Sequence, residues 1–359
     1  MSTILASMAL LVSTTIAAAP PAAPLKPATA SVAVELATQF DKHPLMMFAE
    51  WHRNAQQHEF LRALIRDPAF LCRIDDIVIE FGNARLQKIA DAYVAGESVT
   101  EAQLQSMYRE TEVPYAWNSP VYREFYETVR EVNQKHVCPH PVRLLLGDPP
   151  IDWAAVKTGA DFLKVEDRDR FFANLAEREV LAKNRRGILI SGALHALKGL
   201  PPPEPDDPGL PNAAQLIEKE FPGKLFSVAL VTTPEAAKTF GMGPPPSFRV
   251  VDGALADADF AIISPAWGAT QVIVNGKHEW KLDDSKSWPP MGKVVDGLVY
   301  LGGDKKTLFP SPTIYLEPVY QEQLRQRARI IKDATGQDFM PTLNDLIEEA
   351  KNGQETQHP

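Results

Sequence analysis

Four places in this 359-residue chain set side chains capable of chemistry directly behind short apolar runs. Glu50 and His52 follow residues 45–48, Glu80 follows 77–79, Asp148 follows 142–146, and His195 follows 187–190. Two carboxylates and two imidazoles, once brought together, suit two kinds of chemistry. Glu50, His52, Glu80 and His195 can bind a divalent metal (Zn, Mn or Co) and lower the pKa of its water to about 7. Alternatively, one His acts as general base on a water while a Glu fixes its tautomer and stabilises the imidazolium. Crowded carboxylates raise one another's pKa unless a cation intervenes. Arg143, Arg178 or the metal is the candidate for that cation. Each residue also has a plainer reading: Glu80 as a charge at a helix N-terminus, His195 as a packed polar residue, Asp148 as a turn former before Pro149-Pro150. His58, six residues past His52 on the following helix, reads as surface. Trp51 and Trp117 read as core residues that also suit a pocket wall.

The elements that must position these groups follow from periodicity. Bare apolar runs at 45–48, 77–79, 142–146, 187–190 and 225–231 alternate with helical patterns at 32–40, 56–65, 84–95, 100–110, 119–135, 166–183 and 212–220. On 56–65 the apolar face is Phe60, Leu61, Leu64 and Ile65. Continuous apolar strands between helices predict an α/β core with a mostly parallel sheet and helices on both faces. Ligands in such sheets bind outside the carboxyl ends of the strands, so topology alone would bring the four groups to one edge. Beyond residue 235 the pattern weakens to a less regular α+β extension. Strands are expected there at 261–263, 271–274 and 298–301, a hairpin turn at Asn275-Gly276, and helices at 321–334 and 343–351. The expected organisation is a signal peptide 1–19, an Ala/Pro linker 20–30, the core 31–235, the extension 236–352, a lid or addition, and a polar tail 353–359.

Composition narrows the function classes. With 37 Lys and Arg against 46 Asp and Glu, the net charge is −9 and no basic block exists, which excludes an ordinary nucleic-acid binder. Two cysteines exclude a Cys₄ or Cys₂His₂ zinc finger and a disulfide-scaffold miniprotein. Residues 4–19 are apolar and small, end in Ala17-Ala18-Ala19, and fall short of the about 20 residues a membrane span needs. They read as an export signal despite lacking a preceding Lys or Arg. The mature chain is then periplasmic or extracellular with no membrane span, acting on a small-molecule or peptide substrate. Cys72 and Cys138 each lie six residues before a strand centre, at the amino ends of neighbouring strands. In an exported protein that pattern favours a disulfide; two free, buried thiols are the alternative.

Taken in order, Phe48-Ala49-Glu50-Trp51-His52, Ile79-Glu80, Arg178-Glu179-x-x-Ala182-x-Asn184 and Gly192-x-x-His195 resemble the erythromycin esterase-like and ChaN-like haem-uptake superfamily, with Tiki and TraB proteins as distant members. The likeness covers about residues 40–200. It implies that Glu50, His52, Glu80 and His195 form the site. By resemblance, the esterase branch uses such a His to activate water, the Tiki branch a His/Glu set in metal-dependent proteolysis, and the ChaN branch a pocket for haem. Two departures stand out: Ala49 replaces the family's Gly, and Glu50 and His52 are two apart, as in the haem branch, where the esterases have three. The resemblance therefore implies a hydrolase of ester or amide bonds, with a haem- or other cofactor-binding protein as the alternative and a degenerate member as a third reading. A Cys-x-x-Cys-His haem motif is missing; Tyr115 and Tyr122 are the candidate axial ligands, each otherwise packed on the sheet.

Overall fold

The computed structural model describes residues 27–201, 210–274, 277–283, 288–303 and 306–353. The signal peptide expected at 1–19, the Asn275-Gly276 turn and the tail after Gly353 lie outside the described residues. Nine strands are described: β1 Leu45–Glu50, β2 Asp76–Asn83, β3 Arg143–Asp148, β4 Gly187–Gly192, β5 Leu225–Val231, β6 Ser247–Val250, β7 Ala269–Val274, β8 Lys277–Leu282 and β9 Gly297–Tyr300. Seven form one sheet in the order β3-β2-β4-β1-β5-β9-β6, and β7 pairs with β8 in a separate antiparallel ribbon. Every pairing in the large sheet is parallel except β6 with β9. The fold is α/β.

Strand side chains alternate between two apolar layers. Met46, Phe48, Ile77, Ile79, Ile188 and Ile190 join the helices Ala55–Arg66, Gln87–Val94 and Pro120–Gln134 on one face. Met47, Ala49, Val78 and Leu189 join the helices Arg168–Glu179 and Ala213–Glu220 on the other. Burial on both faces is why these strands carry unbroken apolar runs rather than alternation.

Several elements differ from the sequence reading. Residues 27–30 are not linker but the start of the helix Pro27–Gln39. Residues 260–263 form a 3₁₀ turn, not a strand, because Asp259 accepts the Ala261 N–H and caps it. Strand β2 runs on past Ile79 to Asn83 with a register shift, so Glu80 sits within the strand and not behind it. Two strands from beyond residue 235, β6 and β9, complete the large sheet. The helices Pro318–Thr335 and Met340–Lys351 pack on Tyr115 and on the 151–162 segment, above the carboxyl edge. Among the described residues no helix is long and apolar enough to cross a membrane.

Cys72 and Cys138 are joined in a disulfide with Cα atoms 5.3 Å apart, closing a sequence separation of 66 residues at the amino ends of β2 and β3. Cross-linking so long a loop restricts the unfolded chain, an effect of up to about 4 kcal/mol. The double variant Cys72→Ser/Cys138→Ser should therefore keep its circular dichroism spectrum and lose about 2–4 kcal/mol in urea unfolding. An unchanged urea midpoint would mean the link contributes nothing.

Candidate functional site

The order β2-β4-β1 is what assembles the site. Glu50 ends β1, Gly192 ends β4, and Glu80 lies near the end of β2, so the two carboxylates flank the end of the strand between them. By side-chain alternation Glu50 belongs to the Met46/Phe48 face and Glu80 to the Val78 face. The two half-sites meet over Gly192. A Cβ there would stand 2.8 Å from Cε1 of His52 and 3.4 Å from Oε2 of Glu80, so the ring can approach because the residue is glycine.

Glu50 is 2 % exposed and organises the first half-site. Its Oε2 accepts from Nδ1 of His52, and its Oε1 accepts from Nε2 of His58 at 2.7 Å and from the Tyr122 hydroxyl at 3.2 Å. Burial opposes the charge on Glu50, yet His52 and His58 beside it hold the carboxyl well below its ordinary range. The turn that follows is pinned. Gln57 donates to the Ala49 carbonyl and accepts the Trp51 N–H, Asn54 caps the Ala55–Arg66 helix, and Arg53 adopts φ 64° with its N–H given to Tyr122. His52 itself stays 48 % exposed, with the buried Trp117 edge-on to its ring at 4.8 Å. Burial lowers its pKa, but Glu50 and Glu80 outweigh this and raise it above 6.5.

In the second half-site Glu80 accepts the Gly192 N–H at 2.5 Å through Oε2. Its Oε1 lies 3.4 Å from Nη1 of Arg168 and 3.4 Å from Nε2 of His195. Although burial pushes it up, Arg168, His195 and His52 keep Glu80 below its ordinary range. His195 gives Nδ1–H to Asp169 at 2.7 Å, and the same Asp169 oxygen accepts the Ala213 N–H. Against the effect of burial, Glu80 and Asp169 hold the His195 imidazole above its usual value.

Of the residues chosen from sequence, Glu50, His52, Glu80 and His195 are brought to this one edge. Asp148 is close by and fully buried, accepting the Glu112 N–H at 2.7 Å; burial, reinforced by Glu112 and Glu80, drives its carboxyl far up despite Arg168. Arg143 and Arg178 are not site cations. Arg143 opens β3 at the opposite end of the sheet, paired with Asp76 and Glu179, and Arg178 sits three turns along its helix against Glu179. Arg168 takes that place. It opens the helix Arg168–Glu179, where a cation in the first turn opposes the helix dipole and signals another duty. His58 is not at the surface: it is 0 % exposed. It shares the buried face of its helix with Leu61 and Ile65, at spacings of three and seven, which was legible.

The donor set does not fit a metal. Among the described residues no group of three or more His, Cys, Asp or Glu side chains is arranged to hold one. The Arg168 guanidinium already stands against Glu80 and His195, and both Glu50 oxygens are engaged. Nor does the cluster fit haem. The cavity beside Glu80, Arg168, Ser191 and His195 is about 10 Å³, and the two candidate tyrosines, Tyr115 and Tyr122, are buried.

No family model matches the chain, and no curated protein does. Among solved structures it resembles a succinoglycan biosynthesis protein, with a TM-score of 0.52 at 8 % identity over 75 % of this chain and 90 % of that one. A Bacillus cereus protein superposes at a TM-score of 0.47 and 10 % identity, over 78 % and 94 % of the two chains. The first likeness is one of fold.

The raised Asp148 pKa has a definite sign. Above the ordinary value of 3.8 the unfolded chain releases a proton that the folded chain keeps, so this group lowers stability as pH rises. Asp148→Asn removes that penalty. Its gain in melting temperature over wild type should grow between pH 4 and pH 7; parallel curves would show that Asp148 is ionised in the fold.

Proposed function

We propose that the chain is a water-activating hydrolase of ester or amide bonds, of the erythromycin esterase-like and ChaN-like type, working without a metal. The observation that carries this reading is His52: anchored through Nδ1 by a buried carboxylate, with the ring half exposed. With Nδ1–H given to Glu50, the tautomer leaves the Nε2 lone pair free for a water, the arrangement a general base requires. In the proposed reaction Nε2 of His52 takes a proton from water as its oxygen attacks the substrate carbonyl. Arg168, with His195 beside it, offsets the charge that develops on the carbonyl oxygen. The intermediate then collapses, and His52 returns the proton to the departing alcohol or amine. Glu50, kept ionised, stabilises the imidazolium between these steps. The disulfide supports an exported location, since such links persist in oxidising compartments.

The test is hydrolysis of a panel of p-nitrophenyl esters and anilides. His52→Ala should lose about 10²–10⁴-fold in kcat/KM while its circular dichroism spectrum stays that of the folded wild type. Gly192→Ala should cost activity through displacement of the ring. The acid limb of kcat/KM should lie above pH 6.5, where His52 loses its proton, and move lower in Glu50→Gln. Full activity in His52→Ala, or no turnover of any compound by wild type, would overturn the proposal.

A further inference from the structure

Arg143 and Arg178, which the active cluster does not use, line a groove of about 970 Å³ along the outer edge of β3. β3 is the edge strand, and the groove lies between the helix Gln87–Val94 on one face of the sheet and the helix Arg168–Glu179 on the other. Val94, Leu145, Phe171 and Leu175 supply apolar walls. An open sheet edge ordinarily invites another strand, but here the main chain is answered by side-chain amides. Asn133 bonds both the N–H and the carbonyl of Val142, and Gln87 bonds the Leu144 carbonyl and the Leu146 N–H. A peptide strand is thereby refused, while the apolar volume remains.

Charge is unevenly placed along the groove. At the amino end of β3, Arg143, Arg178, Lys183 and Arg185 are paired with Asp76 and Glu179, and Asp75 also faces Arg185, leaving four cations to three carboxylates. That excess of positive charge sits in a chain of net charge −9. Arg178 is 60 % exposed, its Nε held by Glu179. On the opposite wall Asp91 is engaged by Gln87. The segment containing His136 and Pro141, which closes this end, is tied down by the Cys72–Cys138 link.

We propose that this groove is a second binding site, separate from the His52 cluster, for a free single-chain amphiphile with an anionic head. The apolar tail lies along β3 between the two helices and the head is received at Arg178. This inference is independent of the hydrolase reading.

Calorimetric titration with sodium dodecanoate and with dodecyltrimethylammonium, which share a tail and differ in head charge, tests it on the full chain. Dodecanoate should bind one equivalent at least tenfold more tightly than the cation. Arg178→Glu should weaken dodecanoate about tenfold, and Ala95→Trp, a substitution at an exposed lining position, should block both amphiphiles. His52→Ala should bind dodecanoate as wild type does, which separates this groove from the active cluster. Equal affinity for the two amphiphiles, no binding by wild type, or undiminished binding in Ala95→Trp would overturn the proposal.

Discussion

The buried Glu50 carboxylate is the constraint on which the rest of the site depends. Taking a carboxylate out of water costs several kcal/mol and is tolerated only when its lone pairs are well answered. Here two imidazoles and a phenol answer them, and each comes from a different place: the turn after β1, the helix Ala55–Arg66 and the helix Pro120–Gln134. One charge thus fixes the turn, the first helix behind it and the helix that covers it. It also leaves His52 with one nitrogen held and its ring open to solvent.

The second half-site balances charge by another route. Glu80 lies on the opposite face of the sheet, where a guanidinium, not an imidazole, is its principal counter-ion. Burial drives the carboxyl of Asp148 nearby far up, which weakens its claim on the Arg168 charge. Strand order does the joining: because β4 lies between β1 and β2, the His52 ring and the Glu80 carboxylate meet over the glycine at its end.

Much of this was legible in the amino-acid sequence. The apolar runs locate the first five strands, and their lack of alternation follows from burial on both faces. The residues behind those runs locate Glu50, His52, Glu80 and His195. What escaped was decided by tertiary contact. A short apolar run such as 260–263 is compatible with strand or turn until neighbours choose, and Asp259 chose the turn. Arg143 and Arg178 have the right charge, but β3 carries one to the far end of the sheet and the helix carries the other away from the edge. A histidine's type suggests the surface, but the place of His58 on the Leu61 and Ile65 face requires a buried partner. That partner is Glu50, eight residues earlier.

The central claim is the protonation pattern that Glu50 imposes, and ¹⁵N–¹H correlation spectra of the labelled histidine side chains read it directly, with His52→Ala assigning the signal. On titration the His52 ring should protonate above pH 6.5, and in its neutral form it should carry the proton on Nδ1. A ring protonated on Nε2 instead, or one titrating below 6.5, would contradict the account.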